Sequence, residues 1–455
     1  MQTVCREPCV EASQSASNMP HMVDAAMPRT LVVNFNSPEL NQLALALAVE
    51  GALEAFVRPY VNKRRSWERA LAALPLAGRL YTGTFGRRLM SDARLAALTH
   101  EAGVLPDVCA AAIGRIQALP LDLRRAWTTR LYMSVREAVA RAACSHLPQA
   151  SCVVGYEGFA LPAFVKSRAR GDQSLVLNYP VAHHRQRRRV RLEENQREPD
   201  FAITWPDFDD WPAGHEQRLD DEIRLADAIL VGSTYVADSF VAEGIDRSKM
   251  RVVPYGVDLQ TFTTAPQVAR TGGFHVIYAG QLTQRKGIAY LLRGYQKFAR
   301  ADTRLTLVGS IVGSDQPLKP FADLFEHVPH QTRPALAARY RAADVFVLPT
   351  LIEGMPLVVL EAMACGLPVI VTANGPGDIV RDGIDGFVIP ERDADAVSDR
   401  LERLYRDPGL RAEMGRRAVQ RAAEFSWDAY TAKALRVLTD LAVRQPGTGV
   451  SAAWA

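Results

Sequence analysis

The chain has 455 residues, of which 48% are hydrophobic and 23% charged, with a formal net charge of +4. That length is too great for one hydrophobic core and suits two domains with a cleft between them. The small positive excess gives no ground for a nucleic-acid partner, and no apolar run reaches the length of a membrane span. Six cysteines are scattered at 5, 9, 109, 144, 152 and 365, so neither a disulfide framework nor a zinc site follows. Residues 1–28 are polar, lack the apolar centre of a signal peptide, and are expected to be a disordered leader. The cytoplasm is the default location.

From Thr30 onward, strand and helix patterns alternate. The apolar run Thr30–Phe35 predicts a strand, Glu39–Val49 a helix rich in Leu and Ala, and Leu53–Val57 a second strand. A long helix over Leu123–Ala143 precedes a strand at Ser151–Val154. A helix near Ala160–Arg170, a strand at Ser174–Asn178, a helix ending at Ala226 and a strand at Ala228–Val231 follow. Gly, Thr and Pro then gather over 256–273, a linker, and the pattern restarts at Phe274 and continues to about Val388. The expected architecture is α/β: two Rossmann-like parallel-sheet domains, 29–255 and 274–425, facing across a cleft. A late helix begins at Glu424.

The most informative segment lies in the second half. Ala343–Leu348 reads as a buried parallel strand ending at Pro349. A short loop carries Glu353 and Gly354, and a helix opens at Pro356, where a missing N–H costs nothing. That helix stops at Gly366, and Pro368–Val371 is the next strand. The helix N-terminus therefore faces the carboxyl edge of the sheet, a favourable place for an anion. Glu353 stands at the mouth of the crevice. Glu361 lies deeper, and its acceptor-only carboxylate suits the vicinal hydroxyls of a ribose. The plainer reading makes Glu361 the partner of a nearby cation and Glu353 a solvated loop charge.

Glu353 and Glu361, with seven residues between them, resemble the donor-site motif of the family 4 retaining glycosyltransferases, which have the GT-B architecture. Val276–Gly287 looks like that family's strand and phosphate-binding loop, and Leu305–Gly309 like its second strand. Asn374–Val380 and Asp385–Val388 look like its closing segment around the sugar. Val231–Val236 and Val253–Asp258 resemble the last strand–helix unit of the first domain and the hinge. The resemblance covers roughly residues 225 to 430.

It implies a nucleoside diphosphate sugar as donor, UDP- or GDP-linked, a carbohydrate or lipid-linked hydroxyl acceptor, retention of configuration, no cofactor and no required metal. It assigns the diphosphate to Arg285 and Lys286, the sugar to Glu353 and the ribose to Glu361. Gly280, Gly309, Gly354, Met355, Pro356 and Leu357 complete the implied donor site. The family's last helix, here 426–445, crosses back to the first domain. Physically, Arg285 can grip two phosphate oxygens while Lys286 acts as a point charge, which stabilises a leaving diphosphate. Asp393 and Asp395 stand at the start of a late helix, where aspartates serve as caps rather than metal ligands.

The first domain departs from the family. After the first strand, relatives carry a glycine-rich loop; here the chain reads Asn36–Asn41 without glycine. Ser37 and Asn41 are acceptor-side candidates, against the alternative of a plain capped turn. His183 and His184 follow a predicted strand where relatives place a histidine near the sugar, with His183 slightly favoured as catalytic. The run Arg185–Arg191 reads either as a site for an anionic acceptor or membrane surface, or as a helix face paired with Glu193, Glu194 and Glu198. Asn62–Trp67 is a second basic patch. A non-catalytic partner subunit and a nucleotide-sugar epimerase or phosphorylase are the competing functions.

Overall fold

The computed structural model describes residues 27–443, apart from 76, 77, 79, 80, 83, 84, 86, 87, 89, 91, 115, 117, 118, 206–212 and 265–272. The expected leader thus lies outside the described residues except for its last two, as does most of the second half of the expected linker.

The first domain is built on β1 (Thr30–Val33), β2 (Leu53–Arg58), β3 (Thr99–Glu101), β4 (Cys152–Tyr156), β5 (Ser174–Asn178), β6 (Ala228–Val231) and β7 (Met250–Val252). These form one sheet in the order β3-β2-β1-β4-β5-β6-β7, and every neighbouring pair is parallel. The second domain uses β8 (Phe274–Ala279), β9 (Thr303–Val308), β10 (Phe325–Val328), β11 (Val345–Leu348), β12 (Val369–Thr372) and β13 (Gly386–Ile389). Their order, β10-β9-β8-β11-β12-β13, repeats the same plan. The central strands are continuous apolar runs because helices cover both faces of each sheet; β1, β6, β8, β11 and β12 are buried at every position. In each sheet the chain reverses direction of winding between the first and fourth strands. A crevice at the carboxyl ends opens at that point.

The structure agrees with the expected α/β architecture and adds short strands that carry no long apolar run, β3, β7 and β10. The helix after the first strand spans Pro38–Val49 and is capped by the Ser37 hydroxyl, which accepts from the Leu40 N–H at 3.4 Å. The helix expected to open at Pro356 spans Leu357–Ala364, with Pro356 as its extended flanking residue. Gly366 follows in the left-handed conformation, as the stop signal required.

The chain crosses between domains twice. It leaves the first domain near Val253–Asp258 and returns beside that crossing, where the Val257 N–H donates to the Phe425 carbonyl at 2.9 Å. The last helix, Trp427–Val443, then packs on Pro38–Val49. Ala434, Leu438 and Leu441 are buried on one side of that contact, and Leu40, Leu43 and Leu47 belong to the same core.

Candidate active site

The cleft between the domains encloses a cavity of about 740 Å³, lined from both sides. On the second domain, β8 ends at Ala279 and the chain bends through Gly280 into the 3₁₀ turn Gln284–Lys286. The turn is tied to the end of β11, because the Arg285 carbonyl accepts from Leu351 N–H at 3.0 Å and the Thr350 hydroxyl at 3.1 Å. Gly287 closes it with φ +72°, and a Cβ there would lie 1.9 Å from the Pro349 carbonyl oxygen. No other residue fits that position.

This bend delivers Arg285 and Lys286 to the loop after β11. The Arg285 guanidinium donates to the Ile352 carbonyl at 3.2 Å and to the Glu353 carboxylate, and the Lys286 ammonium pairs with the same carboxylate. Glu353 is therefore no solvated loop charge; it is buried and holds both cations. Burial works against its ionisation, but the charges of Arg285 and Lys286 outweigh it and hold the carboxyl below the ordinary range. Burial brings Lys286 down to about 8, with Glu353 opposing that shift. Both partners are ionised at neutral pH.

Glu361 is differently placed and does not line the cavity. It is buried, its carboxylate accepts no hydrogen bond among the described residues, and its nearest cation is the Arg333 guanidinium at 3.7 Å. Burial pushes its carboxyl up to about 7, only partly offset by Arg333. Gly280 and Gly309 end β8 and β9 on the same carboxyl edge, so close that a Cβ on Gly309 would lie 1.8 Å from the Gly280 carbonyl oxygen. Gly354 and Met355 turn toward the first domain: the Gly354 carbonyl accepts from the Ser233 hydroxyl at 2.7 Å, and the Met355 sulfur from the Tyr255 N–H at 2.9 Å. Pro356 and Leu357 start the helix that carries Glu361.

The first domain supplies the facing wall. His184 lines the cavity, with its Nδ1 3.2 Å from the Tyr179 hydroxyl. His183 does not: it caps the helix His184–Arg197, its Nδ1 accepting from Arg185 N–H at 3.2 Å, and is packed under Phe240. Burial, with added repulsion from nearby arginines, lowers His183 to about 4 and His184 to about 2, so both imidazoles are neutral. Together with Asp220 they form a group whose potential ligand atoms approach within 4.8 Å. The two rings stack at 4.2 Å with 29° between their planes, His184 Nε2 lies 3.2 Å from Asp220 Oδ1, and Arg185 holds the other oxygen of Asp220. Asp393, expected as a cap, accepts from the Ala396 N–H at 2.8 Å.

Ser37 and Asn41 are not brought to the cavity. The Ser37 N–H donates to Asn34 Oδ1 at 2.9 Å, and Asn41 Oδ1 accepts from the Arg58 guanidinium at 2.7 Å. The loop is a closed, capped turn, and Phe35 reaches the cavity instead. The basic run is a helix face paired with carboxylates, but not the expected ones: Arg185 meets Asp220, Arg187 meets Glu157 and Arg189 meets Glu243. Glu194 and Glu198 turn to the other domain. In the second basic patch, Lys63 donates to the Ala96 and Thr99 carbonyls at 2.9 and 2.8 Å. No helix among the described residues is long and apolar enough to cross a membrane.

Arg125, Thr128, Tyr132 and Arg136 also line the cavity, from one stripe of the helix Leu121–His146. Their spacing of three and four residues was the available signal in the sequence, since a polar stripe on a long helix marks one face.

Two facing Rossmann-like domains with a phosphate-suited crevice define the GT-B class, and solved structures of that class share the fold. Sucrose-phosphate synthase from Thermosynechococcus elongatus superposes with a TM-score of 0.63 at 18% identity, covering 92% of this chain and 100% of that one. Anabaena HepE in complex with UDP-glucose gives 0.58 at 14% identity, covering 90% and 99%. More particularly, residues 273–407 match the family described as "Glycosyl transferases group 1". The second domain is therefore a group 1 glycosyl transferase domain, as its motifs implied. Among curated proteins, the D-inositol 3-phosphate glycosyltransferase of Pseudarthrobacter chlorophenolicus is 34% identical over 233 residues, 47% of this chain and 55% of that protein. The enzyme of the same name from Paenarthrobacter aurescens is 35% identical over 234 residues, 46% and 57%. The chain thus spans little more than half the length of the curated relatives it matches.

Proposed function

We propose that this protein transfers a sugar from a nucleoside diphosphate sugar, UDP- or GDP-linked, to a hydroxyl of a carbohydrate or lipid-linked acceptor with retention of configuration. The observation that carries this reading is the cation pair of half-buried Arg285 and buried Lys286, closed on Glu353 at a cleft lined by both domains. In the proposed reaction the donor diphosphate takes over both cations. As the bond from the anomeric carbon to the β-phosphate oxygen breaks, negative charge grows on that phosphate, where fixed cations stabilise the transition state more than the ground state. Glu353, released, faces the sugar hydroxyls. The acceptor hydroxyl enters from the side of Tyr132 and His184. Its oxygen bonds to the anomeric carbon on the face the phosphate leaves, and its proton passes to that phosphate. The two side-chain cations neutralise the diphosphate, so this reading requires no metal. Two relatives are named for D-inositol 3-phosphate, which makes that compound the first acceptor to try; polysaccharide or glycolipid assembly is the setting that the family resemblance suggests.

The test is a thermal-shift series with UDP, GDP, ADP and their sugar conjugates on wild type and Glu361→Ala. One nucleotide at a hundredfold excess over its Kd is expected to stabilise wild type by about 2.7 kcal/mol. Glu361→Ala is expected to weaken binding by about 1.5–3 kcal/mol per lost charge-assisted hydrogen bond. A protein stabilised by none of these nucleotides would be the non-catalytic partner instead.

The buried Glu361 carboxyl adds a pH signature. Only its ionised form accepts from two ribose hydroxyls, and its pKa before donor binds is about 7. Donor affinity is therefore expected to fall about tenfold per pH unit below that value. Calorimetric titration of Glu361→Gln should show weaker binding with that slope removed; an unchanged slope would assign it to another group.

A further inference from the structure

The helix His184–Arg197 spans the cleft. Its first half is held by its own domain, through Arg185 on Asp220, Arg187 on Glu157 and Arg189 on Glu243. Its second half is held by the other domain. Glu194 is fully buried and accepts from Gln284 Nε2 at 2.6 Å, the Tyr290 hydroxyl at 2.8 Å and Arg392 Nε at 2.8 Å. One turn later, Arg293 closes on Glu198 with both of its terminal nitrogens.

Gln284 is the residue that opens the turn carrying Arg285 and Lys286. Its side-chain oxygen accepts from Ala289 N–H at 3.1 Å, and its own N–H donates to the Thr204 hydroxyl at 2.9 Å. Main chain and side chain of Gln284 are thus both fixed by groups of the first domain. Within its own domain the turn is tied by Lys286 N–H on the Thr283 carbonyl at 3.0 Å, Gly287 N–H on the Gln284 carbonyl at 2.8 Å, and Leu351 and Thr350 on the Arg285 carbonyl. A buried carboxylate is stable only with its donors in place, so separation of the domains breaks the three bonds of Glu194 together and leaves Gln284 held by Ala289 and Gly287 of its own domain alone.

We propose that Glu194 is a positioning residue for the donor diphosphate, aiming Arg285 and Lys286 through Gln284 only while the two domains are joined. The inference rests on the donor-site reading above. It assigns the first domain a part in gripping the donor without touching it.

The measurement is the ratio of monophosphate to diphosphate Kd, taken by calorimetry with UMP and UDP, GMP and GDP, and AMP and ADP. That ratio isolates the β-phosphate contact from the base and ribose contacts. Glu194→Gln is expected to lower it about tenfold while monophosphate affinity stays within about twofold of wild type. Gln284→Met, which cuts the same link and leaves Glu194 its other two donors, is expected to do the same and serves if Glu194→Gln does not fold. A ratio unchanged in both variants, or in the one that folds, overturns the role of Glu194, as does a loss of both affinities in parallel. A wild type that holds diphosphates no more tightly than monophosphates overturns the donor reading and this inference with it.

Discussion

Lys286→Ala is expected to lower kcat by about 10²–10³-fold with donor saturating, the cost of removing one preorganised group from a developing oxyanion. The geometry favours a large effect. Lys286 is nine-tenths buried and paired with Glu353, so it is desolvated before the donor arrives. Its charge needs no reorganisation when the phosphate leaves. Arg285 remains in the variant and keeps Glu353 paired, which limits the damage to the fold. Steady-state kinetics separate the possibilities: a change confined to donor KM would mean that Lys286 binds ground and transition states equally. A pH dependence accompanies this. The free Lys286 ammonium titrates near 8, so kcat/KM for the donor, which reports the free protein, is expected to fall as pH rises through that value. With the acid limb from Glu361 near 7, the profile is a narrow bell, and the alkaline limb should vanish in Lys286→Ala.

Gly354→Ala is expected to cost at least about 100-fold in kcat/KM, although it adds only one methyl group and removes no charge or hydrogen-bonding side chain. A Cβ on Gly354 would lie 1.6 Å from the Pro180 carbonyl oxygen. Gly354 belongs to the loop after β11, and Pro180 to the loop after β5 of the opposite domain. Backbone cannot rotate out of the way as a side chain can, so the domains must part, and the bond from Ser233 to the Gly354 carbonyl breaks with them. The apolar contact of Ala182 and Trp205 with Tyr290, Leu351 and Ile352 parts as well, while each sheet keeps its own strands. The expected picture is native circular dichroism, an increased radius of gyration by small-angle scattering, and little transfer. Wild-type turnover in this variant would show that the joined arrangement is not the reacting one.

The parts of the site legible in the sequence are those built from neighbours along the chain. A buried apolar run ending at Pro349, a loop glutamate and a helix stopped by Gly366 reveal the strand–loop–helix unit, because each signal acts within a few residues. The Arg285–Lys286 turn is readable for the same reason. Contacts between distant segments leave no such trace. Nothing near Glu194 indicates that its partners are Gln284, Tyr290 and Arg392 rather than the arginines before it on the same helix. Charge pairing along a helix was the local expectation, and tertiary contacts replaced it. The choice between His183 and His184 depended on which one caps the helix, and Ser37 was engaged by Asn34, whose side chain the loop pattern did not single out. Short strands such as β3 and β7 lack the apolar length that marks a strand by itself.

The return of the last helix to the first domain also bears on how the chain is made. Leu40, Leu43 and Leu47 lie on the helix against which Trp427–Val443 packs. At synthesis rates of 5–20 residues per second, the interval between β7 and that closing helix is roughly ten seconds to somewhat over half a minute. Throughout it, the strands of the first sheet have all been made and Pro38–Val49 lacks the helix that packs on it. The second domain, contiguous in sequence, can finish folding on the ribosome, whereas the first is sealed only after it.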